Sequence, residues 1–270
     1  MKNNLSNSSS SILIREDGQD GITNLILNRP EKYNSLSHEL IRLIQEELDS
    51  IAHDSSVKVI ILKGRGQAFC AGHDISEMIR DPDESAIKDL FEKCSKMMIS
   101  LTRMPQPVIS QIHGIATAAG CQLVAQSDLA VASENASFAT SGIGIGLYCG
   151  TPSVAVTRNI PRKQAMEMLL TGDFIKPDQA LQYGLINKVA AQDKLDESVR
   201  ELALKVAEKG QEFVKRGKQL FYNQIESGIE AAYQEATKFM TEHFKLKSTQ
   251  AGLNAFLEKK PMPDWSKNDV

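Results

Sequence analysis

The sequence predicts an α/β protein with a helical C-terminal region, and three observations carry that prediction. Short β-branched, apolar runs alternate with segments of helical period from residue 11 to residue 189, the pattern of parallel strands with helices packed over them. Two of those runs, 57–62 and 107–112, end in clusters of small residues, as strands do where the backbone turns tightly. From Leu195 onward only helical patterns follow.

Taken in order, residues 11–15 and 22–27 read as two strands joined by the polar turn 16–21, and Pro30 ends the second. Ser37 reads as an N-cap, and Leu40, Ile44, Leu48 and Ile51 repeat at helical spacing behind it. Residues 57–62 form the next strand, followed by a turn over 66–76. The polar stretch 81–84 breaks the chain as a surface loop. A helix over 85–103 follows, stopped by Pro105 and Pro107. Residues 108–112 read as a strand, 119–126 as a helix and 128–132 as a strand. Residues 138–150 are glycine-rich with little period and read as a loop lining a site. Helices over 161–170 and 177–183 and a strand over 185–189 complete the body. Helical patterns then cover 195–209, 213–225, 229–246 and 250–258, with Asp264-Trp265 as an anchor for the last turn.

The chain has 270 residues, 41% of them hydrophobic, enough for one large domain with an appendage. Thirty-one basic residues against 34 acidic ones argue against a nucleic-acid partner, which usually meets a basic surface. Cys70, Cys94, Cys121 and Cys149 form no C-x-x-C pair and accompany no histidine cluster. They read as free thiols in a reducing compartment, and no metal site is expected. No apolar run reaches about eighteen residues, so no membrane span is expected. Residues 1–11 are polar and Ser/Asn-rich and read as a disordered tail, and the default location is cytoplasmic.

The two small-residue turns carry the chemistry. Ala71-Gly72 lets the backbone after the 57–62 strand approach a ligand closely, and Ala116 to Gly120 opens the helix over 119–126. Each place can aim a backbone N–H at one point, the second with a helix N-terminus behind it. Two such donors make an oxyanion hole, which stabilises negative charge developing on a carbonyl oxygen.

Three ordered stretches, 27–36 (Leu-Asn-Arg-Pro-Glu-Lys-Tyr-Asn-Ser-Leu), 69–75 (Phe-Cys-Ala-Gly-His-Asp-Ile) and 107–114 (Pro-Val-Ile-Ser-Gln-Ile-His-Gly), resemble the crotonase superfamily of enoyl-CoA hydratases and isomerases. The likeness continues through 127–132, 168–172, 180–186 and 252–260, and so spans residues 12–265. It implies a spiral of ββα units over 12–194 and a helical region over 195–270 that forms trimers, often stacked into hexamers. It implies an acyl-CoA thioester as ligand, with coenzyme A entering as part of the substrate and no separate cofactor. By position, the oxyanion-hole amides are those of His73 and Ala119, where the family usually has glycine at the second. Ala71, His73, Asp74 and Ile75 fall where the family's backbone meets the adenine end of CoA. Lys32, Phe256 and Lys259 fall where it meets nucleotide or phosphates, the last two from a neighbouring subunit; the two lysines read equally well as solvated surface residues.

The departures matter as much. A hydratase needs two carboxylates to position water and move its proton. The resemblance places them at Gln122 and Gly142, and no Asp or Glu lies between Glu134 and Glu167. Glutamine holds a water but accepts no proton, and glycine offers no side chain, so ordinary two-glutamate hydration is not expected. What remains is the oxyanion hole with Tyr148 and Cys149, either of which can face the pocket. Methylmalonyl-CoA decarboxylase-like members of the superfamily are similar at Ala71 to Ile75 and carry a tyrosine near position 148. Three readings follow: an acyl-CoA enzyme working through a stabilised thioester enolate, a decarboxylase of branched malonyl-CoA, or a non-catalytic acyl-CoA binder.

Overall fold

The computed structural model describes residues 11–265. Most of the tail expected over 1–11 lies outside the described residues; Ser11 itself is tied down, its hydroxyl donating to the Leu13 carbonyl (2.6 Å) and its carbonyl accepting from Asn28 Nδ2 (2.7 Å). Strands β1 (Leu13–Asp17) and β2 (Ile22–Leu27) form an antiparallel hairpin. Helix α1 (His38–Ala52) begins where expected, with the Ser37 hydroxyl accepting from the Leu40 N–H (3.1 Å).

Then a unit repeats. A long strand is followed by a short one and then by helix: β3 (Val59–Gly64), β4 (Ala68–Cys70), α2 (Ile75–Arg80) and α3 (Glu84–Arg103). The second turn is β5 (Val108–Ile112), β6 (Ile115–Thr117) and α4 (Ala119–Gln126). The third is β7 (Leu129–Ser133), β8 (Ser137–Ala139) and α5 (Gly150–Asn159). The long strands build a six-stranded sheet in the order β1-β2-β3-β5-β7-β9, parallel throughout except for β1 against β2, and β9 is Lys188–Ala190. The short strands build a second parallel sheet, β4-β6-β8. This is the spiral of ββα units that the resemblance implies. The short strands escape sequence reading because each is three residues long, too short to show a period.

Helices α6 (Arg162–Thr171) and α7 (Pro177–Tyr183) precede β9, and α8 (Leu195–Ala207), α9 (Gln211–Ile225), α10 (Ile229–Phe244) and α11 (Lys247–Leu257) end the chain. The sequence places α8 with the helical appendage, but it packs on the large sheet. Its Leu195, Val199 and Ala203 cluster with Ile22, Val59, Ile61, Ile109 and Val131 from one sheet face, while Leu25, Ile60, Leu62 and Val108 face the main core on the other. Both faces of the large sheet are therefore buried, which is why its strands read as continuous apolar runs. Trp265 anchors the C-terminus as expected: its ring lies 5.3 Å from that of Phe213, edge to face, and against Gly252.

Candidate active site

The turn at 66–76 is held by the segment before α1. Tyr33 and Asn34 both adopt left-handed backbone (φ 51° and 53°), which turns the fully buried Asn34 side chain inward. Its Nδ2 donates to the carbonyls of Arg65 and Ala68, both at 2.8 Å, and its Oδ1 accepts from the Arg29 N–H (2.8 Å). The Tyr33 carbonyl accepts from the Ala71 N–H (3.0 Å). Leu36 then bridges two residues: its N–H donates to the Gly72 carbonyl (2.7 Å) and its carbonyl accepts from the Asp74 N–H (3.0 Å). In a parallel bridge of this kind the residue in between, His73, points its own N–H and C=O the other way.

The second donor is set by Ala118. Its backbone (φ 50°, ψ −119°) turns the chain from β6 into α4, and its N–H donates to the Ala139 carbonyl (3.0 Å). Ala119 is the first residue of α4, so its N–H has no acceptor within the helix. Among the described residues, neither the His73 N–H nor the Ala119 N–H is given to another backbone carbonyl. The two segments touch: a Cβ on Gly72 (φ +95°) would lie 2.8 Å from Ala118 Cβ and 3.3 Å from the Ala119 nitrogen. The family's glycine position, 119, is thus in ordinary helical backbone, and the unusual angles fall on Ala118 instead. An alanine held there stores about 1–3 kcal/mol. We expect Ala118→Gly to raise stability by about 1 kcal/mol, after the larger chain entropy of glycine is subtracted; unchanged or lower stability in denaturant titration would show that this backbone is unstrained.

Both segments open on one cavity of about 330 Å³. It is completed by Phe91 of α3, by a 3-10 turn over Ser141–Ile145 and by the start of α5. Of the residues the sequence singles out, Ala71, His73, Ile75, Ala119, Gly142, Tyr148 and Cys149 all line it. Tyr148 and Cys149 face it together, and Tyr148 is 46% exposed. Burial raises the Cys149 thiol pKa, against a lowering hydrogen bond from the Gly142 amide, so the sulfur stays protonated at neutral pH and is a weak nucleophile. Gly142 is closed off: a Cβ there would overlap the Leu147 carbonyl oxygen and sit 2.9 Å from Cys149 Sγ. A glutamate at 142 fits only if this loop moves. Gln122 lies one turn into α4, 4% exposed, with its Oε1 unpartnered.

Asp74 is committed elsewhere. It caps α2 through the Ser76 N–H (3.1 Å) and pairs with Arg29 (2.8 Å), itself bonded to the Ser35 carbonyl (2.7 Å). Burial pulls the Asp74 carboxyl upward, but the Ser76 hydroxyl and Arg29 outweigh it and the net shift is downward. Its carboxylate therefore braces the turn and does not line the cavity. Nor does this chain bring Lys32, Phe256 or Lys259 to the cavity: Lys32 is exposed at the end of a 3-10 turn, Phe256 is 70% exposed on α11, and Lys259 follows that helix with φ 53°. Among the described residues no cluster of metal-ligating side chains occurs and no helix is long and apolar enough to cross a membrane.

The His73 ring stacks edge-on to Phe91 (5.1 Å) and its Nε2 has no partner. Burial, with the nearby His38 charge adding to it, pushes its pKa down to about 4. The unfolded chain then binds more protons than the folded one between about pH 4 and 6.5, so His73 contributes stability that is lost as pH falls through that window. His73→Gln should flatten this part of the acid limb. We expect the wild-type melting temperature to fall more than the variant's over that range; parallel curves would contradict the assignment.

Sequence reading misses Phe91 as a wall residue and misses α5 with its Thr151. Pro152 in the first turn of α5 is the signal that would have found the helix, since a helix accommodates proline at its start, where the N–H has no partner within the helix.

Comparison with known proteins agrees with this geometry. Residues 17–268 match the family model described as enoyl-CoA hydratase/isomerase. The chain is 40% identical over 269 residues to the mitochondrial enoyl-CoA hydratase domain-containing protein 3 of Danio rerio, covering 100% of this chain and 92% of that protein. It superposes on a crystal structure of an enoyl-CoA hydratase from Mycobacterium smegmatis with a TM-score of 0.93 and 44% identity, over 96% of this chain and 100% of that one. It also matches the human enoyl-CoA hydratase domain-containing protein 3 structure, with a TM-score of 0.90 and 38% identity over 94% and 100% of the two chains. The cytoplasmic expectation is corrected here: the zebrafish, rat and human relatives are all named mitochondrial, and the composition of eleven residues specifies no compartment. With a match over nearly its whole length and the crotonase spiral in its fold, the chain belongs to the enoyl-CoA hydratase/isomerase family.

Proposed function

We propose that this chain acts on acyl-CoA thioesters, holding the thioester oxygen on the N–H groups of His73 and Ala119 while enolate charge develops. The observation that carries the reading is the pair of uncommitted amides in touching segments on one cavity wall. Backbone donors fixed in a cavity that excludes water stabilise such charge strongly, because nothing has to reorganise. Among the described residues no Asp, Glu, Lys or Arg lines the cavity, and His73 is a weak base, which supports chemistry other than two-glutamate hydration. The test is a panel of enoyl-, hydroxyacyl- and malonyl-type CoA esters. Hydration of crotonyl-CoA at the ordinary enzymatic rate of about 1–10³ s⁻¹ would overturn the exclusion of hydration alone, whereas silence on every ester would count against turnover through an enolate. Tight binding of CoA esters with no turnover would make the chain a binder.

Decarboxylation of a malonyl-type ester is the second reading. Loss of CO₂ generates the enolate without a base, which suits this cavity, and in this reading Tyr148, which lines the cavity, is the proton donor. Against it, no cation among the described residues lines the cavity to receive the substrate carboxylate. We also propose a homotrimer or a hexamer of stacked trimers. Its support is the exposed apolar surface of α9 to α11, with Ile229, Phe256 and Leu257 each at 70% exposure or more. A monomer in light scattering at micromolar concentration would reject it.

A further inference from the structure

Among the described residues, Phe91 alone lines two hollows at once. One is the cavity that opens on the segments of His73 and Ala119. The other, of about 630 Å³, lies on the solvent side of α3 and is lined by residues of that helix alone, Ser95, Ile99 and Arg103 among them. These follow Phe91 at i+4 steps, which puts them on one face of the helix. A different face, with Leu90, Cys94, Met97 and Leu101, is buried in the core. Phe91 stands at the seam between the two faces and is itself half-buried. A single ring thus parts the cavity from the hollow. It meets the His73 ring edge-on at 5.1 Å, and Leu36 fixes the backbone on both sides of His73 through the Gly72 carbonyl and the Asp74 N–H.

We propose that Phe91 is a specificity-determining residue: it closes the acyl end of the cavity and confines the protein to short acyl groups. This rests on the acyl-CoA reading above and chooses among its substrates. At about 330 Å³ the cavity is near the lower end of the ~300–1,000 Å³ usual for a ligand pocket. Its open side carries Ile145 and Tyr148, at 68% and 46% exposure, and the CoA portion leaves there. With the thioester oxygen on the two amides, the acyl chain runs the other way, past Ala71 and Ala119, to the Phe91 ring. A longer chain has to push that ring off His73, whose N–H is one of the two donors. Without the ring, the cavity and the α3 hollow become one passage, and each further methylene has apolar surface to cover, Ile99 first.

Calorimetry on the whole chain tests it with butyryl-, hexanoyl- and decanoyl-CoA. The unmodified protein should bind decanoyl-CoA no more tightly than butyryl-CoA. In Phe91→Ala, decanoyl-CoA should bind about tenfold or more tighter than it does to the unmodified protein, the gain from roughly two buried methylenes, while butyryl-CoA moves by less than about threefold. Ile99 is 43% exposed, so Ile99→Trp is tolerated, and it fills the hollow. Added to Phe91→Ala it should remove most of the decanoyl gain; alone it should change nothing. Where Phe91→Ala does not fold, Phe91→Leu carries the same comparison with a smaller gain. Decanoyl-CoA bound about tenfold tighter than butyryl-CoA by the unmodified protein overturns this inference alone. So does a chain-length profile unmoved by the Phe91 variants, or a decanoyl gain that Ile99→Trp leaves intact. No binding of any CoA ester brings down the acyl-CoA reading and this inference with it.

Discussion

Replacing Gly72 by alanine should lower turnover of the chain's acyl-CoA ester by about 10²–10³-fold, the usual loss when one oxyanion donor is removed. The reason is steric and local. Gly72 sits at φ +95°, where a side chain is strained, and its added methyl would press on Ala118 Cβ at 2.8 Å and the Ala119 nitrogen at 3.3 Å. Neither side can yield freely. Leu36 grips the carbonyl of Gly72 and the N–H of Asp74 on one side, and on the other a Cβ on Gly120 would overlap the Cys70 carbonyl, so α4 is seated directly on β4. The methyl therefore acts as a wedge between the two segments that supply the amides. Ester binding, which draws on the rest of the cavity, should weaken much less than kcat falls. The measurement is kcat and KM beside the folded fraction from circular dichroism. A kcat that holds, or that falls only in step with the folded fraction, would separate the two amides from catalysis.

The sequence made the frame legible and left the closing details hidden, for physical reasons. Helix α1 is readable because Ser37 and the spacing of Leu40, Ile44, Leu48 and Ile51 agree on one start and one face. The buried strands are readable because both sheet faces are covered. The role of Asn34 is not readable, because its three hydrogen bonds reach residues 29, 65 and 68 and exist only in the fold. The cavity wall falls in between. Positions 73, 119, 142, 148 and 149 come together as their order along the motifs implies. Asp74 sits inside the same motif yet points into the scaffold, since spacing along a turn does not say which way each side chain faces. Thr151 lies in a stretch of Gly, Thr, Pro and Ser whose helix shows no clear apolar face, and only packing against α4 reveals it.

Replacing Lys218 by methionine should lower stability by about 3–5 kcal/mol, the range for removing one member of a buried ion pair. At about 2–4 °C per kcal/mol for a chain of this size, the melting temperature should drop by roughly 10 °C. Lys218 of α9 has its side chain only 6% exposed, and its amine donates to Asp128 Oδ2 (2.6 Å) and to the carbonyls of Leu101 (2.8 Å) and Gln106 (3.0 Å). Asp128 also accepts from the Val108 N–H (2.7 Å) and the Tyr222 hydroxyl (2.9 Å). One cluster thus ties α9 to the end of α3, the start of β5 and the chain entering β7, and so holds the C-terminal helices to the strands beneath the cavity. Burial lowers the Lys218 pKa, and the Asp128 charge works against that shift. Methionine fills the space but leaves two carbonyls unpaired and the carboxylate without its cation. Neutralising both ends, in Lys218→Met with Asp128→Asn, removes the uncompensated charge and should recover part of the loss, because contacting residues couple by about 0.5–3 kcal/mol. A single-variant loss below about 1 kcal/mol, the surface-pair range, would mean that water still reaches the amine. A double variant as unstable as the two singles added together would mean that the groups act as separate contacts.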